Sequence, residues 1–212
     1  MPSDQIDGVA SAFRELGVST VYEAAGQQGL IDVPLIQLVP GSRAAGPART
    51  VRCGQDDNLM VHAVMGQARR GEVLVLTMPE PRPVSLVGDL LAQQAHARGV
   101  AGLLVDAAVR DAEDLARLGL PIWSRFVRAA AAAKKTVGVL GEPVTLGGAR
   151  IDQGDMVIMD ADGAVVVPAG RIDEVLAASQ ARAARESAVR ERLRAGQLTY
   201  DLHDLRRLVE GA

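Results

Sequence analysis

The sequence predicts a mixed α/β domain, and three observations carry that expectation. Through residues 59–123, stretches with apolar residues at helical spacing alternate with short apolar runs of strand type. Residues 137–167 break into short β-type runs punctuated by turn residues, with Asp162-Gly163 as a hairpin signal. Residues 172–195 then form one long, heavily charged stretch of helical pattern that Gly196 ends. With 212 residues and 48% hydrophobic composition, folding would bury roughly 70% of the unfolded surface, enough for one sizeable core.

Taken in order, residues 10–16 read as a helix stopped by Gly17, and Ser19 or Thr20 can cap a second helix running to Gln27, with Gly29 beyond it. Turn residues interrupt the apolar pairs between Pro34 and Pro47, so short strands and loops are expected there, followed by a strand over residues 48–52. Residues 58–69 carry Leu59, Val61, Ala63, Val64 and Ala68 at helical spacing, and Gly71 separates them from a strand at 73–76. The alternation continues with a helix at 88–98, a buried strand at 103–105, a helix at 111–118 and a short strand at 122–123. Five more strands are expected at 137–140, 144–146, 149–151, 156–160 and 164–167. The helix over 172–195 places Glu and Arg outward, and a last turn or two is expected within 201–208. A helix projecting in this way often packs on a neighbouring subunit. The one low-complexity tract is the alanine run 129–133.

Composition also excludes partners and chemistries. Lys+Arg 23 against Asp+Glu 26 gives a net charge of -3 with no basic block, which argues against a nucleic-acid backbone as partner. Aromatic content of 2% removes the stacking surfaces that single-stranded nucleic acids need. Cys53 stands alone, so zinc sites built on several cysteines are out and a reducing compartment fits. No window reaches 18 uninterrupted apolar residues and residues 1–16 hold no signal-type apolar core, so a cytoplasmic protein without membrane contact is expected. Lys134 and Lys135 are the only lysines among 23 basic residues, which leaves two candidates for any Schiff-base mechanism.

Three clusters can carry chemistry. In Leu103-Leu104-Val105-Asp106-Ala107-Ala108-Val109-Arg110-Asp111 an apolar strand feeds a small-residue turn and then an Arg-Asp pair at a helix start, where α/β ligands bind; Asp111 can equally serve as a cap for that helix. Gly88-Asp89-Leu90-Leu91 opens another helix, whose free N–H groups can seat a carboxylate or phosphate, although Asp89 can also be a plain cap. Glu186, after Arg185, is either functional or a solvated partner of Arg190 one turn on. His62 and His96 fall within helices, as packed or surface residues.

At these clusters the sequence resembles the RraA-like family, and within it the 4-hydroxy-4-methyl-2-oxoglutarate / 4-carboxy-4-hydroxy-2-oxoadipate aldolases. The likeness runs from Thr20-Val21-Tyr22-Glu23-Ala24 through Pro40-Gly41-Ser42-Arg43-Ala44-Ala45-Gly46-Pro47, Asp57-Asn58, Gly88-Asp89-Leu90-Leu91, Ala97-Arg98-Gly99-Val100, Asp106 to Asp111 and Asp155 to Val167, ending at Arg185-Glu186. Each piece alone is weak; together and in order they are specific. The resemblance implies a ββα swivelling-type α/β core over residues 1–170 and a C-terminal helical extension over 171–212 that packs on a neighbouring subunit of a homotrimer or hexamer. It implies a class II aldolase in which Asp111 anchors Mg2+ or Mn2+, Arg110 faces the keto oxygen of the pyruvyl group and Asp89 positions a water. The amides of Leu90 and Leu91 would hold the substrate carboxylate, Asn58 and Lys134 would lie near the substrate mouth, and Glu186 would reach in from the adjacent subunit.

Retro-aldol cleavage of a 4-hydroxy-2-oxo acid leaves a pyruvate enolate, so a metal and a guanidinium at the C2 oxygen suit the reaction. The products would be pyruvate with oxaloacetate or a second pyruvate, and oxaloacetate decarboxylation would accompany the main activity. The alternative the resemblance offers is a protein-binding regulator of ribonuclease E, whose relatives resemble a chain ending soon after the last strands. The continuing helix that carries Glu186 favours catalysis. Two departures stand out: Ala107 replaces a common Gly, and residues 128–133 replace a Gly-Thr-Val-like loop before the lysine matching Lys134. The proline-rich segment 78–83 also looks reduced.

Overall fold

A computed structural model describes residues 3–211; residues 1, 2 and 212, at the ends of the two regions expected from the sequence, lie outside it. Helices α1 (Ser3–Leu16) and α2 (Val18–Ala24) lead through β1 (Ile36–Gln37) to β2 (Ala44–Arg52). Then come α3 (Leu59–Met65), β3 (Val73–Thr77), β4 (Ser85–Val87), α4 (Asp89–Ala97), β5 (Gly102–Val109), α5 (Ala112–Leu118) and β6 (Ile122–Val127). The β-rich segment supplies β7 (Val139–Leu140), β8 (Val144–Leu146), β9 (Ala149–Ile151), β10 (Met156–Asp160) and β11 (Gly163–Val167), before α6 (Ile172–Arg194), α7 (Thr199–Leu202) and α8 (Arg206–Glu210).

The parallel strands β2, β3, β5 and β6 form the centre of a nine-stranded sheet in the order β1-β6-β5-β3-β2-β10-β11. β4 extends the sheet alongside β5 and β7 alongside β2, both near the carboxyl ends of the parallel strands. Buried on both faces, β3 reads as an apolar run: Leu74 and Leu76 enter one core and Val73 and Val75 the other. The first core lies under α3, α4 and α5 through Val61, Leu91, Ala95 and Leu115. The β8–β9 hairpin closes the opposite face with Val144, Leu146 and Ile151 around Trp123. A third core joins Phe13 of α1, Val21 of α2 and Val175 of α6 to the β10–β11 ribbon.

The sequence places most elements; α1, β2 and β6 run longer and α3 shorter than expected, and four further differences bear on the packing. β5 continues through Ala107 and Ala108 to Val109, where a small-residue turn was expected; all of these side chains are buried, and the irregularity stays within the strand as a register shift against β6 between Val105 and Ala108. β4 was not anticipated, because three residues behind a proline-rich segment are too few to show a period. α2 stops at Ala24 instead of Gln27, since Gly26 and Gln27 both take left-handed backbone. In α6 only Ile172, Val175 and Ser179 are buried, so its apolar contact with α1 and α2 is confined to the first turns; beyond them the link is polar, with Arg182 2.8 Å from the Glu23 carboxylate of α2. Among the described residues no helix is long and apolar enough to cross a membrane.

One residue, Asp160, joins the third core to the second. Asp160 Oδ2 accepts the Val18 N–H at 2.8 Å at the start of α2, Oδ1 accepts the Asp162 N–H at 2.9 Å in the hairpin turn, and the Asp160 carbonyl accepts the Trp123 indole N–H at 3.0 Å. Asp160→Ala removes the first two bonds and should lower the unfolding free energy by about 2 kcal/mol, read as an earlier urea midpoint at unchanged slope.

Candidate active site

Three chain segments leave the carboxyl ends of strands and enter helices at one place, the position where open α/β sheets bind ligands. Their N-cap residues are Asn58 for α3, Gly88 for α4 and Asp111 for α5, and all three line a single cleft of about 150 Å³. Asp89, Leu90, Leu91, Arg110 and Lys134 line it too, so seven of the eight residues singled out in the sequence come together. Glu186 does not. In this chain it lies within ion-pair distance of Arg182 and Arg190 and borders a separate groove with Ser19, Thr20 and Arg43.

Asp111 sits at φ 59 and ψ 38, a left-handed conformation that aspartate tolerates better than most residues. It occupies the N-cap position of α5 yet makes no capping bond there. That turn instead aims its carboxylate across to the neighbouring helix, where Oδ2 accepts the Asp89 N–H at 3.0 Å, with Arg110 Nε 3.6 Å from the same oxygen. Gly88 makes room: a Cβ there would stand 2.6 Å from Asp111 Oδ2 and 3.0 Å from Arg110 Nε. Asp89 is the first residue of α4, and both its carboxylate oxygens accept from Gln93 Nε2 at 2.8 Å.

The start of α4 is open as a result. The first backbone bond of the helix runs from Ala92 N–H to the Gly88 carbonyl at 3.1 Å, leaving the N–H groups of Leu90 and Leu91 without helical acceptors. The carbonyls one turn earlier are used elsewhere, Leu86 by Asn58 Nδ2 at 3.0 Å and Val87 by the Arg110 N–H at 3.0 Å. Two amides at the positive end of a nine-residue helix, beside a guanidinium, make a seat for a carboxylate. Leu90 itself projects into solvent with 82% of its surface exposed.

Asp57 assembles the other wall. It is 1% exposed; Oδ1 accepts the Leu59 N–H at 2.8 Å, and Oδ2 accepts the N–H groups of Lys135 at 2.7 Å and Thr136 at 2.9 Å. Burial raises this carboxyl, but those backbone donors outweigh burial and hold it below the usual carboxylate range. The alanine tract is thereby laid against the start of α3, with the Asn58 N–H donating to Ala133 O at 2.9 Å and the Ser85 N–H to Ala130 O at 2.8 Å. Ala131 and Ala132 line the cleft, and Lys134 stands at its rim. Asn58 Oδ1 is buried with no partner among the described residues.

Sequence reasoning missed His62, which lies one helical turn beyond Asn58 and lines the cleft. Its spacing from Asn58 was the available signal. Burial and then the Lys134 ammonium lower its pKa, keeping the imidazole neutral at pH 7. Asp106 belongs elsewhere: it is buried with its Oδ1 3.6 Å from Arg125 Nε on β6, and burial raises its carboxyl against the pull of that arginine. Cys53 is pushed up to about 12 by burial and by the Asp57 carboxylate, so its thiol stays protonated and is no nucleophile.

The donor set can be tested against a divalent cation. Among the described residues no three His, Cys, Asp or Glu side chains cluster as a metal cage. A single half-exposed carboxylate at Asp111, a second at Asp89 and open space beside them fit a hard ion that keeps most of its waters, as Mg2+ or Mn2+ does. They do not fit a soft or tetrahedral site.

The RraA-like family, described as Aldolase/RraA, matches residues 18–166. A protein of Halalkalibacterium halodurans named "Putative 4-hydroxy-4-methyl-2-oxoglutarate aldolase" is 32% identical over 192 residues, covering 91% of this chain and 90% of its own. Streptomyces coelicolor RraAS2, described as an unusual member of the RNase ES inhibitor RraA protein family, superposes with a TM-score of 0.77 at 26% identity, covering 86% of this chain and 96% of its own. A Pseudomonas syringae pv. tomato protein of uncharacterized role reaches a TM-score of 0.81 at 24% identity over 91% of each chain, a likeness of fold.

Two outcomes follow from the geometry. Asp57→Asn should cost about 1–3 kcal/mol at pH 7 by weakening the grip on Lys135 and Thr136. The native carboxyl is depressed, so its contribution is full above the unfolded value of about 3.9 and fades as pH falls through the lower folded value. Urea midpoints from pH 7 downward should therefore converge for variant and parent in the acid limb. Gly88→Ala should keep the fold and cut ligand affinity at least tenfold by displacing Asp111 and Arg110, checked by calorimetric titration with pyruvate.

Proposed function

The chain belongs to the RraA-like family, and from that premise we propose that it is a divalent-metal-dependent pyruvate aldolase acting on 4-carboxy-4-hydroxy-2-oxoadipate or 4-hydroxy-4-methyl-2-oxoglutarate. The observation that carries this reading is the junction of Arg110, the left-handed Asp111 and the open amides of Leu90 and Leu91 in one cleft. Asp111, with waters and with Asp89 nearby, would hold Mg2+ or Mn2+. Such an ion, when bound, supplies a Lewis acid for the 2-oxo acid.

The residues of the chain then have distinct work. The amides of Leu90 and Leu91 bind the C1 carboxylate, which orients the C2 ketone toward Arg110. When the C3–C4 bond breaks, its electron pair becomes the C2–C3 enolate and the C4 hydroxyl, losing its proton, becomes the ketone of the second product. Charge grows on the C2 oxygen, and the Arg110 guanidinium meets it without being able to surrender its proton. Asp89, fixed by Gln93, orients the water that returns a proton to C3 and releases pyruvate. Glu186 would contribute from the adjacent subunit of a trimer or hexamer, assisting the water that accepts the C4 hydroxyl proton. Loss of CO2 from oxaloacetate generates the same enolate, so decarboxylation accompanies the aldolase.

Pyruvate release from 4-carboxy-4-hydroxy-2-oxoadipate should require added Mg2+ or Mn2+ and stop with a chelator. Arg110→Ala should lower kcat by about 10²–10³, and Asp111→Ala should abolish the metal-dependent rate. Turnover that survives Asp111→Ala overturns the metal assignment. Absent turnover together with tight binding to ribonuclease E would favour the regulator instead.

A further inference from the structure

A groove of about 590 Å³ opens at the amino ends of β3 and β5, the opposite end of the sheet from the cleft of Arg110 and Asp111. One wall is α1, where Asp7, Ala10, Ser11 and Arg14 recur at helical spacing and so share one face. The other wall is built by two turns, Arg70-Gly71 before β3 and Gly99 to Ala101 before β5, with His96 from the last turn of α4. The Gly71 N–H donates to the Gly99 carbonyl at 2.9 Å and ties the two turns together. Both glycines take left-handed backbone, at φ 79 and φ 72. A Cβ on Gly71 would crowd Asp7 Oδ1 at 3.1 Å, and one on Gly99 would crowd Arg70 Cγ at 3.2 Å, so both side chains lie directly against glycine backbone.

Donors converge here from three elements and lack acceptors. Among the described residues the side chains of Arg70 and His96 form no ion pair or hydrogen bond, and the Arg70 N–H has no acceptor. The Arg14 guanidinium donates only to Ser11 Oγ, at 3.3 Å. Two guanidinium forks, a backbone N–H and an imidazole suit the oxygens of a phosphate group. Asp7, which can only accept when ionised, faces the same space; it repels a bare anion but accepts from hydroxyl groups. The lining includes no aromatic side chain, so it gives a nucleobase nothing to stack on, and the volume exceeds what inorganic phosphate needs and suits a small-molecule ligand.

We infer that this groove binds a phosphomonoester of a polyhydroxylated compound, a sugar phosphate, with Arg14, Arg70 and His96 on the phosphate and Asp7 and Ser11 on the hydroxyls. Asp7 sets the class, because it penalises an anion that brings no hydroxyl to offset the repulsion. The length of β3, about 16 Å, separates this site from the cleft at the carboxyl ends, so the inference stands independently of the function proposed above.

Calorimetric titration at pH 7, in a phosphate-free buffer without divalent metal, tests it with ribose 5-phosphate, ribose and inorganic phosphate. The parent protein should bind ribose 5-phosphate with a Kd below about 1 mM, and about tenfold or more tighter than either fragment. Arg70→Ala, at an exposed turn position, should weaken that binding about tenfold or more, and Arg70→Lys, which keeps the charge without the fork, should weaken it less. Asp7→Ala should weaken the ester and leave inorganic phosphate bound at least as well as in the parent. Arg110→Ala should leave the ribose 5-phosphate titration unchanged. No binding of the ester, inorganic phosphate binding as tightly as the ester, or an Arg70→Ala titration identical to the parent's overturns the inference. Binding lost in Arg110→Ala places the ester in the other cleft and overturns it equally.

Discussion

The cleft depends on one hydrogen bond, from the Asp89 N–H to the Asp111 carboxylate, made where a strand turns into one helix and reaching the first residue of another. Left-handed backbone at Asp111 costs on the order of 1 kcal/mol, and it persists because the carboxylate repays it across the turn. The same contact forces residue 88 to lack a side chain, since a Cβ there would collide with both Asp111 and Arg110. Three properties of the site therefore share one cause: the aim of Asp111, the approach of Arg110, and the open amides at the start of α4.

Asp57 performs the corresponding task on the opposite wall by a different device. The alanine tract has strong helical propensity, yet it runs extended, forming isolated bridges with Asp57 and Ser85. Fixing a segment with so little side chain of its own requires backbone bonds, and the Asp57 carboxylate supplies the anchor at its end by accepting from Lys135 and Thr136. The helix start and the loop are thus registered to each other by one buried charge, which is why Asn58, His62 and Lys134 meet at all.

The sequence made the fold legible wherever apolar periodicity was long enough to read, as in β3, α4 and the β10–β11 hairpin. It failed for β4, whose three residues carry no period, and for the end of β5, where alanines that face packed helices look like a turn. At the site, Asp111 was legible as an N-cap residue, but not that its side chain serves α4 rather than α5. That distinction lies in a positive φ and in a strand order that brings β4 beside β5, neither of which is local. His62 was hidden for a related reason: on an isolated helix it is one exposed histidine, and only the tertiary placement of Lys134 gives it a neighbour.

The distribution of charge in the cleft bears on why such a site is built from helix ends. On the proposed reading, neutral amides would bind the C1 carboxylate through fixed dipoles, adding no further charge to the cleft. In the proposed reaction the Arg110 guanidinium would meet the charge at the one oxygen where it develops, alongside a bound divalent cation. Lys134 stands instead at the rim of the cleft, on the opposite wall. A chain with 21 arginines, two lysines and no accessible thiol suits the proposed scheme, which asks for a guanidinium, a divalent cation and correctly aimed backbone, and for no amine or sulfur nucleophile.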